Sequence, residues 1–168
     1  LSEVQAAGVS IAFDPNYRTR LWASPEDARQ QFALAFAAST IVLPGIEDFA
    51  TLYGLHDLKD IVGFCQPFNI QELVIKNGPN SVFCCTPEAE FSLPITPVKN
   101  VVDTTSAGDS FNGVFLGARL AGYDLRQAIE LAASAAGLVI QHPGAIVPNE
   151  NFTAVINEQK LAFEHQAN

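Results

Sequence analysis

Short apolar runs alternate with stretches whose apolar residues recur at helical spacing, and this strand–helix rhythm continues nearly to the end of the chain. Residues 1–7 read as a helix running into Gly8, and residues 9–13 as a strand. Ser24-Pro25-Glu26 opens a helix with Ser24 as N-cap and Pro25 at the first helical position, and Phe32, Ala35 and Phe36 form its buried stripe. Residues 40–43 form a strand, followed by a helix ending near Gly54 and another over 57–66. A strand over 72–76 leads into the turn-rich Asn77-Gly78-Pro79-Asn80 and a strand over 81–85, and residues 91–97 and 98–102 are extended. Phe111, Val114, Phe115, Ala118 and Ala121 mark a helix to Gly122, and Asp124 caps a small-residue helix over 128–140. A last amphipathic helix over 152–163 precedes a polar, frayed tail. The alternation predicts an α/β fold with a mainly parallel sheet flanked by helices.

The densest chemistry lies between the strand at 98–102 and the helix after it, in Asp103-Thr104-Thr105-Ser106-Ala107-Gly108-Asp109-Ser110. A loop ending on a helix N-terminus presents backbone N–H groups without intrahelical acceptors, and the helix dipole favours an anion there. Gly108 admits a ligand close to the backbone, and Asp109 sits where a carboxylate can take a proton from an attacking hydroxyl. Spacing alone fits a plainer arrangement equally well: Ser106 and Asp109 match a capping box that merely starts the helix. The extra hydroxyls of Thr104 and Thr105 and the second carboxylate of Asp103 exceed what a cap requires.

Residues 103–111 resemble the C-terminal signature of the ribokinase-like (PfkB) sugar kinases. The resemblance implies a ribokinase-like fold, Asp109 as catalytic base, and the amides of Ser106, Ala107 and Gly108 as an anion hole for the transferring phosphoryl group. Family members often bind a monovalent cation beside this loop, and Asp103 and Thr105 occupy the matching positions, which leaves K+ as a candidate. Asp14-Pro15-Asn16-Tyr17-Arg18, with Leu21-Trp22, resembles a segment of the 2-keto-3-deoxygluconate kinases. Asn16 and Arg18 would then lie between the nucleotide phosphates and a sugar acid. Without that resemblance the segment reads as a surface turn with a solvated arginine, and Trp22 as a core anchor.

The same resemblance makes residues 76–80 the nucleotide loop, with Lys76, Gly78 and Asn80 beside ATP; by itself the stretch is an ordinary hairpin turn. Ser81 stands where relatives often have glycine. Ala133, with Ser134, falls on the helix that walls the adenine pocket in the family, and Gly144-Ala145 matches the turn after it. One departure stands out. Where relatives carry Asn-x-x-Glu, tied to magnesium and phosphate, this chain has Gly45-x-x-Asp48, and a helix-start acid is as good a reading of Asp48 as an indirect metal role. The implied reaction is ATP- and Mg2+-dependent phosphorylation of a sugar-acid hydroxyl, 2-keto-3-deoxygluconate going to its 6-phosphate. Its rivals are kinases of fructose, ribose or a nucleoside, and a non-catalytic nucleotide-binding module.

Bulk properties narrow the partners. Hydrophobic residues make up 48% of 168 positions, which argues for a folded chain. The net charge of −9 comes from 18 acidic and 9 basic residues without a Lys/Arg cluster, which argues against a nucleic-acid partner. Cys65, Cys84 and Cys85 lack a disulfide framework and fit a reducing cytoplasm, with Cys84 and Cys85 on opposite faces of a strand. His56, His142 and His165 are spread out and read as structural or surface residues. No apolar run is long enough for a membrane span. The chain opens on a strand-connecting helix without Met, and residues 1–168 are expected to be the C-terminal part of one PfkB-type kinase domain. That part would need an N-terminal half carrying the opening strands and the sugar-clasping lid. A homo-oligomer stays open.

Overall fold

The computed structural model of the chain describes residues 1–166; Ala167 and Asn168, the end of the predicted polar tail, lie outside the described residues. Helix α1 (Ser2–Ala6) stops where Gly8 takes φ +71, as its sequence suggests. Helix α2 (Pro25–Ala38) starts as predicted: Ser24 is extended, its Oγ accepts from the Asp27 N–H at 3.1 Å, and Pro25 takes the first helical position. Its buried face turns Phe32 and Phe36 inward, whereas Ala35 is only half-buried. Phe36 is fully buried at the centre of an aromatic cluster, with Phe13, Phe68, Phe64 and Phe49 rings 5.3, 5.4, 5.8 and 6.0 Å away. Trp22 packs edge-on to Phe32 at 5.2 Å, the anchor expected of it. Truncating such a residue as Phe36 to alanine costs about 3–5 kcal/mol.

These side chains cover a five-stranded sheet in the order β1 (Ala12–Phe13), β2 (Ile41–Val42), β3 (Glu72–Asn77), β4 (Ser81–Cys85), β5 (Glu90–Pro94). β1–β2 and β2–β3 are parallel; β3–β4 and β4–β5 are antiparallel. The expectation of a mainly parallel sheet therefore holds for the first three strands, and the sheet as a whole is mixed. The cause is local: the turn from Asn77 to Ser81 is too short for the crossover that a parallel neighbour needs. Helices α3 (Ile46–Tyr53) and α4 (Leu58–Cys65) connect β2 to β3, and Gly54 ends α3 in the left-handed conformation. Cys84 is buried and Cys85 half-buried on β4, and all three cysteines are free thiols.

The chain divides into two compact units, Leu1–Pro94 and the segment from Ile95 onward. The second consists of α5 (Ala107–Leu120), α6 (Leu125–Val139) and α7 (Asn149–Gln166). A full capping box starts α6: Asp124 Oδ1 accepts from the Gln127 N–H at 2.8 Å, and Gln127 Oε1 accepts from the Asp124 N–H at 3.3 Å. Its Ala128, Ala132 and Ala135 are buried, and their small size lets α5 approach closely. Gly137 has a reason too, since a Cβ there would lie 3.3 Å from Val98 Cγ2. No helix among the described residues is long and apolar enough to cross a membrane.

Two predicted strands differ from what forms. Only Ala12 and Phe13 of residues 9–13 join the sheet, and Val9 is exposed. Residues 98–102 form no strand: the N–H groups of Val102 and Asp103 donate to Ile140 O at 2.7 and 3.2 Å, so a helix end takes the place of a strand partner. Val101 and Val102 stay exposed, and hydrophobic β-branched residues there lack the covered face that would make them a strand.

Candidate functional site

The first unit carries a cluster at the C-terminal ends of its parallel strands, the edge where open α/β sheets take ligands. After β1, Asp14 Oδ1 accepts from the Asn16 N–H at 3.1 Å and closes a tight turn. Its Oδ2 lies 3.2 Å from Lys76 Nζ on β3, a partly buried ion pair. Asn16 adopts φ 39, a left-handed backbone that asparagine tolerates better than most residues. Pro15 and Tyr17 are buried while Asn16 and Arg18 are exposed, so the two candidate ligand-binding side chains emerge together from a pinned loop. Arg18 forms no ion pair among the described residues.

The pin is Asp48, at the start of α3. Its Oδ1 accepts from the Tyr17 N–H at 2.7 Å and its Oδ2 from the Gly45 N–H at 2.8 Å. The residue is 9% exposed, and burial pushes its carboxyl above the ordinary aspartate value; the two N–H donors pull the other way without winning. Asp48 is thus the helix-start acid the sequence allowed, with a second bond 31 positions away that the sequence did not suggest. Lys76 also binds through its backbone, donating to Pro44 O at 2.8 Å. The Asn77–Asn80 segment is the tight hairpin turn, with Gly78 at φ 52 and the Asn80 N–H donating to Asn77 O at 3.1 Å. An open depression of about 570 Å³, lined among others by Ile46, His56, Asp60 and Asn77, borders this turn.

The second unit carries the loop into α5. Asp103 Oδ1 accepts from the Thr105 N–H at 2.9 Å, and Oδ2 from the Gly144 N–H at 2.9 Å. The Thr105 hydroxyl and these two N–H groups hold the Asp103 carboxyl below its ordinary value. Gly144, at φ 77, uses a backbone conformation open to glycine to bring its N–H round to Asp103. Ser106 occupies the N-cap position of α5 at φ 59, ψ 14 and makes no side-chain capping bond. The simple capping box that its spacing with Asp109 allowed does not form. The Ala107 N–H donates to Thr104 O at 3.3 Å, and Ser110 N–H begins the helical pattern on Ser106 O at 2.9 Å. Between them, Gly108 and Asp109 stand in the first turn, where N–H groups have no intrahelical acceptor. The Asp109 side chain is exposed there.

On α6, Ala133 and Ser134 are half-buried. His142 is structural: Nδ1 lies 3.0 Å from Leu138 O and Nε2 3.3 Å from Asn151 Nδ2. Among the described residues no group of three or more His, Cys, Asp or Glu side chains is arranged to hold a metal. Sequence reasoning missed Asp14, Tyr17 and the Gly144 N–H as parts of the site. The Asp14-x-Asn16 spacing, fit for a carboxylate turn two residues long, was the signal available for the first; the Tyr17 and Gly144 N–H groups bind acceptors 31 and 41 positions away and had none.

A family model for pfkB family carbohydrate kinases matches residues 1–151. The chain is 34% identical over 157 residues to the 2-dehydro-3-deoxygluconokinase of Escherichia coli strain K12, covering 92% of this chain and 51% of that protein. It superposes at a TM-score of 0.77 and 25% identity on aminoimidazole riboside kinase from Salmonella enterica, complexed with aminoimidazole riboside and an ATP analogue; 90% of this chain and 54% of that one are covered. A 2-dehydro-3-deoxygluconokinase from Thermotoga maritima gives a TM-score of 0.73 at 22% identity, over 93% of this chain and 52% of the other. The chain spans about half the length of the relatives it matches.

Proposed function

The chain belongs to the pfkB family of carbohydrate kinases, and from that premise we propose that it supplies the nucleotide site and catalytic base of an ATP-dependent sugar-acid kinase. The substrate is 2-keto-3-deoxygluconate (2-dehydro-3-deoxygluconate under its other name) and the product its 6-phosphate. The observation that carries this reading is Arg18, an exposed guanidinium beside Asn16 on a pinned loop at the ligand-binding edge of the sheet. A neutral sugar has no use for a fixed cation there; a carboxylate does. The 34% identity to a 2-dehydro-3-deoxygluconokinase supports the same substrate.

In this reading Asp109 accepts the proton of the terminal hydroxyl as it attacks the γ-phosphorus in line, and the leaving group is ADP. The Ser106–Gly108 backbone stabilises negative charge on the phosphoryl oxygens, needing little reorganisation because the helix start already orients it. Asn16 and Arg18 bridge sugar acid and phosphates, and Lys76, Gly78, Asn80 and Ala133 border the nucleotide. Magnesium bound with the nucleotide would supply charge neutralisation. The donor set fits an ion held mainly by phosphates and water, since among the described residues no group of three or more His, Cys, Asp or Glu side chains is arranged to hold a metal. Asp103 and Thr105 retain oxygen lone pairs for a monovalent cation such as K+. The setting is cytoplasmic, and residues 1–168 form part of one kinase domain whose remainder closes over the sugar.

The test is a screen of the intact protein with ATP against sugar acids, neutral sugars and nucleosides, followed by Arg18→Leu. A charge-assisted hydrogen bond is worth roughly 1.5–3 kcal/mol, so KM for the sugar acid should rise about 10- to 150-fold while that of its neutral reduced analogue changes far less. Equal losses on both substrates would remove the main support for a sugar-acid substrate.

A further inference from the structure

Asp48 does more than start a helix. A first-turn acid can complement the helix dipole from solvent, where its charge is hydrated at no cost. This one is buried, and its second oxygen reaches across to the Tyr17 N–H at 2.7 Å. Tyr17 is itself 7% exposed, with its ring edge-on to Phe32 at 6.2 Å. Side chain and N–H of one residue are therefore both held, and the exposed residues on either side of it are Asn16 and Arg18. The other oxygen is close to Gly45: a Cβ there would sit 3.0 Å from Glu47 Oε2 and 3.3 Å from Asp48 Oδ2, the atom that accepts from the Gly45 N–H.

We propose that Asp48 is a positioning residue, whose carboxylate sets the direction in which Arg18 and Asn16 meet the substrate by tying the Tyr17 peptide to the start of α3. The proposal rests on the sugar-acid reading for its kinetic consequence and on geometry alone for its structural one. Charged groups facing the carboxylate are Asp14 after β1, Lys76 on β3 and Glu47 on its own helix. Burial raises the Asp48 carboxyl, which is the mark of a charge kept inside against its hydration. One oxygen faces the Tyr17 N–H and the other the Gly45 N–H, so the loop is the route by which it acts on the substrate side chains.

The experiment uses the intact protein and has two arms. In the kinetic arm, Asp48→Asn sets an amide N–H against a backbone N–H; KM for the sugar acid should rise roughly tenfold with kcat within about threefold, and Asp48→Glu should recover part of the loss. On an Arg18→Leu background the same substitution should change KM by less than about twofold, because the two residues act through one loop. Additive losses, or a fall confined to kcat, overturn the proposal. The second arm needs no substrate. In the wild-type protein, NMR should show the Tyr17 and Gly45 amide protons shifting with the titration of the Asp48 carboxyl carbon, and not with Asp14 or Glu47. A Tyr17 amide indifferent to Asp48 overturns the proposal, even if Asp48→Asn does not fold. If no sugar acid is phosphorylated but the Tyr17 amide follows Asp48, the sugar-acid reading fails and the positioning role stands.

Discussion

Asp14 and Asp103 each close an extended segment, and each gives one oxygen to the N–H two residues on and the other to a distant group. Each loop then forces a non-glycine residue to positive φ, Asn16 at 39 and Ser106 at 59. The resemblance ends at the anchor. The first loop is held again by the Asp48 carboxyl, buried and raised; the second has the Asp103 carboxyl, lowered, and the backbone bonds of Val102 and Asp103 to Ile140 O. Asp48 and Asp103 both accept two backbone N–H groups, but Asp103 also accepts from the Thr105 hydroxyl, its largest influence. Solvation adds to the contrast: desolvation outweighs the donors at Asp48 and is the smallest influence at Asp103.

The largest way to break the comparison is at the chemistry. Asp109→Asn in the second loop keeps size and helix start while removing the base, and kcat should fall about 10²–10⁴-fold with little change in ATP affinity. The corresponding change in the first loop, Arg18→Leu, should act on KM. A steady-state comparison of the two variants checks the division, and unchanged kcat in Asp109→Asn would reduce its loop to a helix start.

Stability should separate the anchors next. Asp48→Ala leaves the buried Tyr17 N–H without its acceptor, a loss of about 1–3 kcal/mol, whereas water can reach the half-buried Asp103 and replace it. Their pH dependences should run in opposite directions. The lowered Asp103 carboxyl contributes stability that is present above the ordinary value of 3.8 and disappears as pH falls through its folded value. The raised Asp48 carboxyl contributes most below 3.8, and that contribution disappears as pH rises through its folded value. Denaturation of wild type against Asp48→Asn and Asp103→Asn across acid pH measures both slopes; parallel slopes would erase the distinction.

The smallest effect is in the strained backbone. Ser106→Gly should stabilise by about 0.5–1 kcal/mol, since a left-handed non-glycine residue costs more than the chain entropy glycine adds. Asn16→Gly should gain less, because asparagine accepts that conformation more readily. Thermal melts of both variants decide the order.

How much of this was legible depended on distance along the chain. Ser24-Pro25, Gly54 and Asp124 announced their helix ends because capping is settled within a few residues. The signature over 103–111 announced where α5 starts, though not through the Ser106–Asp109 capping box that its spacing allowed. Asp48 to Tyr17 and Asp103 to Gly144 were not legible, because those bonds span 31 and 41 positions. Residues 98–102 misled because β-branched composition specifies an extended chain and leaves its partner open; the partner was the end of α6. The mixed sheet was hidden likewise, since an apolar run carries no sign of which way its neighbour points.

Cys65, at the end of α4, faces the aromatic core, and burial pushes its thiol up to about 12. A protonated, enclosed sulfur is a poor nucleophile, so alkylating reagents should find it only when the surrounding packing opens. All the chain's cysteines lie before Pro94, which makes the rate of capture at the buried Cys65 and Cys84 a built-in gauge of breathing in the first unit, silent to the second.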